Sequence, residues 1–428
     1  MSGKRGFLDG WASRRGALRG LLVVGLAVMV AAIVGHVRAG DPPADYRPGY
    51  RYEIRADQLP PPFATESASN RPAVASLPDN PLFQAPDGFA VNVFAGGLDH
   101  ARWLTVAANG DVFLAEPAIG QVTLLRDSDG DGRAEIRQVF ATGFRKPHGL
   151  AVQGDWLYVA DTRRVWRLPL GNVVSKAGGP PRPVTADGAL GDGSGHWTRN
   201  IAFSRDGSRF YVAVGSASNL AEEPLPRATV QSFATDGGDQ QTLGAGLRNP
   251  VGIALYPGTD DVYVVVNERD GLGDGLVPDF LTQVTPGGFY GWPYAYIGAN
   301  PQPNFVERPD LVAKTLVPDL LFQSHSAPLG LVFYDASLFP SDYRGDAFVA
   351  LHGSWNSSVP TGYKVVRVPF ENGRPVGYYE NFLTGFWVAG SDTAQVWGRP
   401  AGLAIAKDGS LLIADDVSNT VWRVSYRN

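Results

Sequence analysis

Residues 198–216 read TRNIAFSRDGSRFYVAVGS, and their pattern decides the fold. An apolar-alternating run leads into Asp206-Gly207 and a second one, RFYVAV, leads out. An Asp-Gly pair between two such runs marks a β-hairpin, because glycine accepts the positive φ that the turn needs. The unit returns as RWLTVAANGDVFLAEP from Arg102, PHGLAVQGDWLYVADT from Pro147 and NPVGIALYPGTDDVYVVVNE from Asn249. Further copies are PLGLVFY with GDAFVALHGS from Pro328, and RPAGLAIAKDGSLLIADD from Arg399. Outer-strand segments follow, among them QVTLLRD, RVWRLPL, YKVVRVPF and TVWRVSY. Six copies predict an all-β chain: a six-bladed β-propeller with four-stranded blades. One such unit cannot bury both its faces, so the copies must stack around a channel. FAVNVFAG, from Phe89, is expected to add a strand to the last blade and fasten the ring. Two separate β-sandwiches are the alternative, but they do not account for the repeat.

The rest of the chain frames this domain. The N-terminus carries Lys4, Arg5, Arg14, Arg15 and Arg19 ahead of the uncharged apolar run GLLVVGLAVMVAAIVG over 20–35. That run is short for a membrane span and suits a signal-peptide core, with VRA offering a cleavage position after Ala39. The expected division is 1–39 signal peptide (or N-terminal anchor), 40–81 Pro-rich loose arm, and 82–428 propeller. A periplasmic or secreted location follows, with a membrane contact only if 20–35 is retained. Six of the 37 basic residues and one of the 42 acidic ones lie in the first 39, so their removal takes the formal charge from −5 to −10. Such a charge argues against nucleic acid as a partner. The absence of cysteine removes disulfides, thiolate nucleophiles and Cys-based metal sites.

Function is sought where the repeats begin, because those positions gather at one mouth of a propeller channel. They are polar here: His148, His196 with Arg199, Arg248 with Asn249, and Arg399. His196, in GHWTR, is either a polar residue bonded to neighbouring backbone or a base. Arg248 and Asn249 either brace adjacent blades or bind an anion. NERDGLGDG from Asn267 is either a solvated acidic loop or a set of hard oxygen ligands suited to Ca²⁺. Tyr290 and Trp292, in YGWP, are either core aromatics or a frame for a planar ligand. His325 and His352 are further candidates for the rim. RDSDGDGRAE copies the start of an EF-hand loop with Asp127, Asp129 and Asp131, but its twelfth position is Gln138 and its flanks read as strands. An EF-hand is therefore rejected. A peripheral Ca²⁺ and a plain polar turn both remain open there. Neither GxSxG, a Walker loop nor HExxH occurs.

The segments GHWTRNIAFSRDG, VGSASN, GLRNPVGIALYP, VNERDGLGDGLVPDF, GGFYGWPYAYIG, HSAPLGLVFY, FVALHGSWN and TGYKVVRVPF resemble the glucose/sorbosone dehydrogenase family. These are propeller quinoproteins that use pyrroloquinoline quinone (PQQ), and the chain is most similar to their L-sorbosone branch. The resemblance implies that His196 is the catalytic base. It implies cofactor contacts from Arg248, Asn249 and Arg399, and a frame from Tyr290 and Trp292. It brings Glu268, Arg269 and Asp270 near the cofactor Ca²⁺. The chain departs from the soluble glucose dehydrogenases in having His352 where a cofactor-binding lysine stands, and a single arginine, Arg399, in place of two. The expected activity is oxidation of an aldose or a sugar aldehyde, with electrons passed to an acceptor that the sequence does not name. A Ca²⁺-dependent propeller lactonase and a non-catalytic binding propeller are the competing classes.

Overall fold

The hairpin at 204–209 forms as its sequence dictates. Gly207 takes φ +69°, its amide reaches the Ser204 carbonyl at 2.9 Å, and Asp206 Oδ1 accepts from the Ser208 amide at 2.9 Å. In the computed structural model, which describes residues 41–171 and 176–427, that hairpin joins the first two strands of a sheet. The sheet runs Arg199–Phe203, Arg209–Val214, Thr229–Ala234 and Gln241–Ala245, each strand antiparallel to the next. Five other sheets repeat this order, starting from Trp103–Val106, Gly149–Gln153, Asn249–Leu255, Pro328–Phe333 and Pro400–Ile405. Each of these inner strands packs against the inner strand of the next sheet, and the last returns to the first. The architecture is a β-propeller.

Close approach of the inner strands has a visible cause. A Cβ on Gly149 would lie 2.4 Å from the Arg199 carbonyl oxygen, and one on Gly330 2.4 Å from that of Ala401. Gly252 and Gly402 stand in the same relation to Leu329 and Arg102, at 2.7 Å. Each glycine thus meets backbone of the following sheet where no side chain fits. The residue after each glycine faces the axis. Leu104, Leu150, Ile201, Ile253, Leu331 and Leu403, one from each inner strand, line a cavity of about 420 Å³.

The ring is fastened where the sequence predicts. Phe89–Ala95 pairs antiparallel with Thr420–Tyr426 as the outer strand of the sixth sheet, so the two ends of the domain share one sheet. Phe89 sits among Phe339, Tyr343, Phe382 and Tyr426, with centroids 4.8–5.4 Å away. Edge-to-face ring pairs of this kind add about 0.5–1.5 kcal/mol each beyond area burial.

The segment expected to be a loose arm is instead docked, and this corrects the sequence reading. Arg51–Tyr52 extends the fifth sheet by pairing with Tyr379–Leu383, and Ala73–Val74 pairs with Gln395–Val396. The Tyr46 hydroxyl donates to the Tyr363 carbonyl. Lys364, fully buried, places its ammonium 3.0 Å from the Tyr52 hydroxyl and 4.2 Å from that ring's centroid. Further on, the arm crosses two loops that matter below. Asp274 donates its amide to Thr65 Oγ1 at 2.7 Å, and Asn70 donates its own to the Trp355 carbonyl at 2.7 Å. The Asn70 amide group also faces the carbonyls of Ser357, Ser358 and Asp392. Proline-rich sequence looked like a linker because its backbone bonds go to distant partners rather than along the segment. The expected signal peptide over 1–39 lies outside the described residues, among which no helix is long and apolar enough to cross a membrane.

The 127–135 turn joins strands Gln121–Arg126 and Ile136–Thr142, so the rejection of an EF-hand agrees with the structure. Its carboxylates accept the turn's own amides, as Asp127 does from Gly130 and Gly132.

Three variants test these contacts. Gly330→Ala should destabilise the domain by about 1–3 kcal/mol in urea unfolding, since its Cβ meets backbone. Gly96→Ala, whose nearest neighbour would be 3.8 Å away, should be close to neutral. Asn70→Ala should cost about 1–2 kcal/mol of local stability. It should thus raise amide exchange across 355–358 by about tenfold; unchanged exchange would show that the arm does not hold that loop.

Candidate active site

His196 is set by the exit of the second strand of the third sheet. Its amide and its Nδ1 both meet the Ser216 carbonyl, at 3.0 and 2.9 Å. Nδ1 also lies 2.9 Å from Ser216 Oγ, whose own proton goes to the Ser218 carbonyl at 2.7 Å. Both neighbours of Nδ1 are therefore acceptors, which puts the ring proton on Nδ1 and the lone pair on Nε2. Burial, reinforced by the Arg248 guanidinium, pushes the His196 pKa down to about 3. The imidazole is a neutral proton acceptor at any pH where the protein would work. Gly215 makes this geometry possible, since a Cβ there would lie 2.7 Å from His196 Cβ and 2.4 Å from Asn249 Oδ1.

His196 lines a cavity of about 190 Å³ with Arg248, Asn249, Glu268, Asp270 and Asp279, closed on the fifth sheet's side by His325 and Asn356. Arg248 is not a free cation. It donates to the carbonyls of Asn219, Asn267 and Glu268, and to Asn219 Oδ1 and Asp270 Oδ2 at 2.9 and 3.3 Å. It shapes the 267–270 loop from behind, so bracing and cavity lining are combined in one residue. Asn249 Oδ1 is buried without a partner.

Three carboxylates share the cavity wall. Glu268 and Asp279 are fully buried, and desolvation raises each to about 7. Asp279 accepts the amides of Glu268 at 2.9 Å and Ala327 at 2.8 Å, tying the loop to the fifth sheet. Burial pulls Asp270 up as well, but His325, Arg248 and Asn356 outweigh it and hold the carboxyl below its ordinary value. His325 donates from Nε2 to the Gly273 carbonyl at 3.1 Å and turns Nδ1 to Asn356. Buried oxygen donors kept neutral only by desolvation are a chemical fit for a hard divalent cation, which would replace the protons.

The other expected site residues go elsewhere. The Arg269 guanidinium, a cation with no lone pair to offer a metal, donates to the Asp270 carbonyl and to Gln302 Oε1. Tyr290 is core: its hydroxyl donates to the Gln283 carbonyl and its ring belongs to the buried cluster that includes Leu247 and Val284. Trp292 is buried with its Nε1 on the Asn219 carbonyl at 3.0 Å. Neither forms the cavity wall. Arg399 belongs to a second polar cluster, donating to the carbonyls of His352 and Gly353. There Asp416 accepts from Arg102 and faces His352 Nε2 at 2.9 Å. His148 is buried between Trp103 and Trp197 with neither ring nitrogen partnered. Of the polar residues that open the repeats, His196, Arg248 and Asn249 line the cavity, and His148, Arg199 and Arg399 do not. Asp279, Ser216, Asn219 and Asn356 were not singled out from sequence, although all four lie inside the motifs VNERDGLGDGLVPDF, VGSASN and FVALHGSWN.

Comparison with known proteins adds the family. The TrAA12-like family model matches residues 83–279 and 310–427, and the Glucose / Sorbosone dehydrogenase model matches 226–354. A pyrroloquinoline quinone-dependent pyranose dehydrogenase of Coprinopsis cinerea is 26% identical over 78% of this chain, and the match spans only 53% of that longer protein. An uncharacterized protein of Borreliella burgdorferi is 25% identical over 80% of this chain and 90% of its own length. Among solved structures, the holo PQQ domain of the Coprinopsis cinerea pyranose dehydrogenase superposes with a TM-score of 0.69 at 22% identity. It covers 82% of this chain and 99% of that one. A calcium structure of the Trichoderma reesei AA12 enzyme gives 0.67 at 19% identity, over 83% and 100% of the two chains. With two-part coverage of most of the propeller, the chain belongs to the TrAA12-like family, and it shares residues 226–354 with the Glucose / Sorbosone dehydrogenase model that its motifs resemble.

Proposed function

We propose that this chain is an exported sugar dehydrogenase dependent on PQQ and Ca²⁺, built as a six-bladed propeller, and that its substrate is an aldose or a sorbosone-like sugar aldehyde. The observation that carries the reading is His196, a neutral imidazole whose Nε2 lone pair faces a cavity walled by buried carboxylates. Glu268, Asp270 and Asp279 would hold the metal, and Asn249, with its unpartnered Oδ1, would meet the cofactor. When bound, the metal and quinone supply a polarised carbonyl that accepts hydride.

The chain's own residues do the proton work. His196 Nε2 takes the proton of the aldose anomeric hydroxyl, or of one hydroxyl of the hydrated aldehyde, while hydride leaves the carbon that bears it. Ser216 keeps the ring oriented by accepting at Nδ1 in both states. Burial and the Arg248 charge both oppose a lasting imidazolium, so the proton passes on to solvent water before the next turnover. Arg248 keeps the 267–270 loop in register, and through it the position of two carboxylates.

His196→Gln should leave folding intact and lower dye-linked sugar oxidation by about 10²–10⁴-fold in protein supplied with PQQ and Ca²⁺. Oxidation at the parent rate would make His196 structural. Lactone hydrolysis with Ca²⁺ alone would favour the hydrolase class.

Metal binding has its own pH signature. Glu268 and Asp279 are raised from 4.5 and 3.8 to about 7. Without metal, the stability from keeping them protonated is whole below about pH 4 and is lost as pH rises through 7. Ca²⁺ requires the ionised forms, so its benefit grows over the same window. At 100 times its Kd, Ca²⁺ should stabilise by about 2.7 kcal/mol. Melting curves should show most of that gain at pH 8 and little at pH 5, and Glu268→Gln should abolish most of it. Equal melting with and without Ca²⁺ at pH 8 would remove the metal from the proposal.

A further inference from the structure

The excursion between the third and fourth strands of the fourth sheet, residues 284–319, does more than connect them. It lends Gly288–Phe289 to the third sheet as a fifth strand. It then folds the hairpin Ala295–Tyr296 with Asn300–Pro301 and ends in the short helix Pro309–Val312. Most of it falls in the stretch 280–309 that the TrAA12-like model leaves unmatched. The excursion carries a cavity of about 690 Å³, larger than the one at His196 and within the usual range for small-molecule sites.

The wall of this cavity selects for a neutral, hydroxyl-rich ligand. Tyr294 and Phe305, both half-buried, bring their ring centroids to 6.0 Å and present aromatic surface. Such faces pack well against the CH faces of a pyranose ring. The wall's cation, Arg308, is already committed to Asp310 through two bonds of 3.0 and 2.9 Å, and lies 5.4 Å from the Tyr294 centroid. An anionic ligand would therefore meet no uncommitted charge. Acceptors are at hand in Asn304 and the exposed Glu307, and Tyr294 already donates to Glu222. Gln302 is buried with Nε2 unpartnered, while its Oε1 accepts from Arg269.

The same Arg269 joins this cavity to the site of His196. Its Nη1 reaches Gln302 at 3.1 Å, and its Nε and Nη2 reach the Asp270 carbonyl at 3.0 and 2.9 Å. One side chain thus separates the wall of one cavity from the wall of the other. We infer that the 284–319 excursion forms a carbohydrate subsite, which holds units of an oligosaccharide beyond the one oxidised at His196. The second clause rests on the dehydrogenase reading; the binding of carbohydrate does not.

The test is titration calorimetry of the full chain, free of cofactor, with maltotriose and cellotriose as probes and glucose as the short control. At least one trisaccharide should bind more tightly than glucose. Its affinity should fall tenfold or more in Tyr294→Ala and in Phe305→Ala, and survive in Tyr294→Phe, which keeps the ring and drops only the bond to Glu222. In protein loaded with PQQ and Ca²⁺, the alanine variants should raise KM for the trisaccharide tenfold without changing kcat, and leave both constants for glucose unaltered. Failure of both trisaccharides to bind, or binding indifferent to both alanine variants, overturns the subsite. Trisaccharide binding that depends on the two rings, in a loaded protein that oxidises no sugar, sustains the subsite and defeats the dehydrogenase reading.

Discussion

Backbone-to-backbone approach around the propeller axis is the constraint on which the rest depends. Gly149, Gly252, Gly330 and Gly402 let one inner strand lie against the backbone of the next sheet, at a separation where any Cβ would collide. The apolar residues beyond them then close on the axis. With the strands held at that spacing, the loops at their ends are brought within hydrogen-bonding reach, and the loops carry the chemistry. Gly215 repeats the logic at smaller scale, since His196 and Asn249 approach each other only because it has no side chain.

The site itself is a balance of desolvation against charge. Burial drives both the imidazole of His196 and the carboxyls of Glu268 and Asp279 toward their neutral forms. Asp270 alone stays well ionised, because Arg248, His325 and Asn356 surround it. A neutral base beside carboxyls that ionise when a cation arrives suits proton abstraction next to a metal. Arg248 combines two tasks, lining the cavity and bracing the loop behind it. Its guanidinium, which invites an anion on paper, is saturated by carbonyls and by Asp270, and it acts by holding a loop.

Two segments outside the repeats brace the loops that form the wall. The arm from Asp41 crosses the 272–274 and 355–358 loops from outside, contributing Thr65 and Asn70 as fixed points. The 284–319 excursion joins the third and fourth sheets and meets the cavity through Arg269 and Gln302. Neither segment repeats the strand–turn–strand unit, and both are fixed in place by bonds to partners far away in the chain.

Repetition made the propeller readable before any coordinates, because hairpin turns and strand alternation are local, and six local units have few ways to bury their faces. The closing strand at Phe89 was readable for the same reason: an apolar alternating run needs a partner, and the last sheet lacked one. His196 and Asn249 could be singled out as polar residues at strand entries, and Glu268 and Asp270 as carboxylates in the loop that leaves Val262–Asn267. The sequence could not reveal that Ser216 fixes the tautomer of His196, that Asp279 bridges two sheets, or that Arg399 and His352 form a separate cluster around Asp416. Nor could it distinguish Tyr290 and Trp292 as buried residues from a ligand frame. Those outcomes depend on distances between segments far apart in the chain. Residue type states which bonds a side chain is able to make, and only packing decides which partner arrives first.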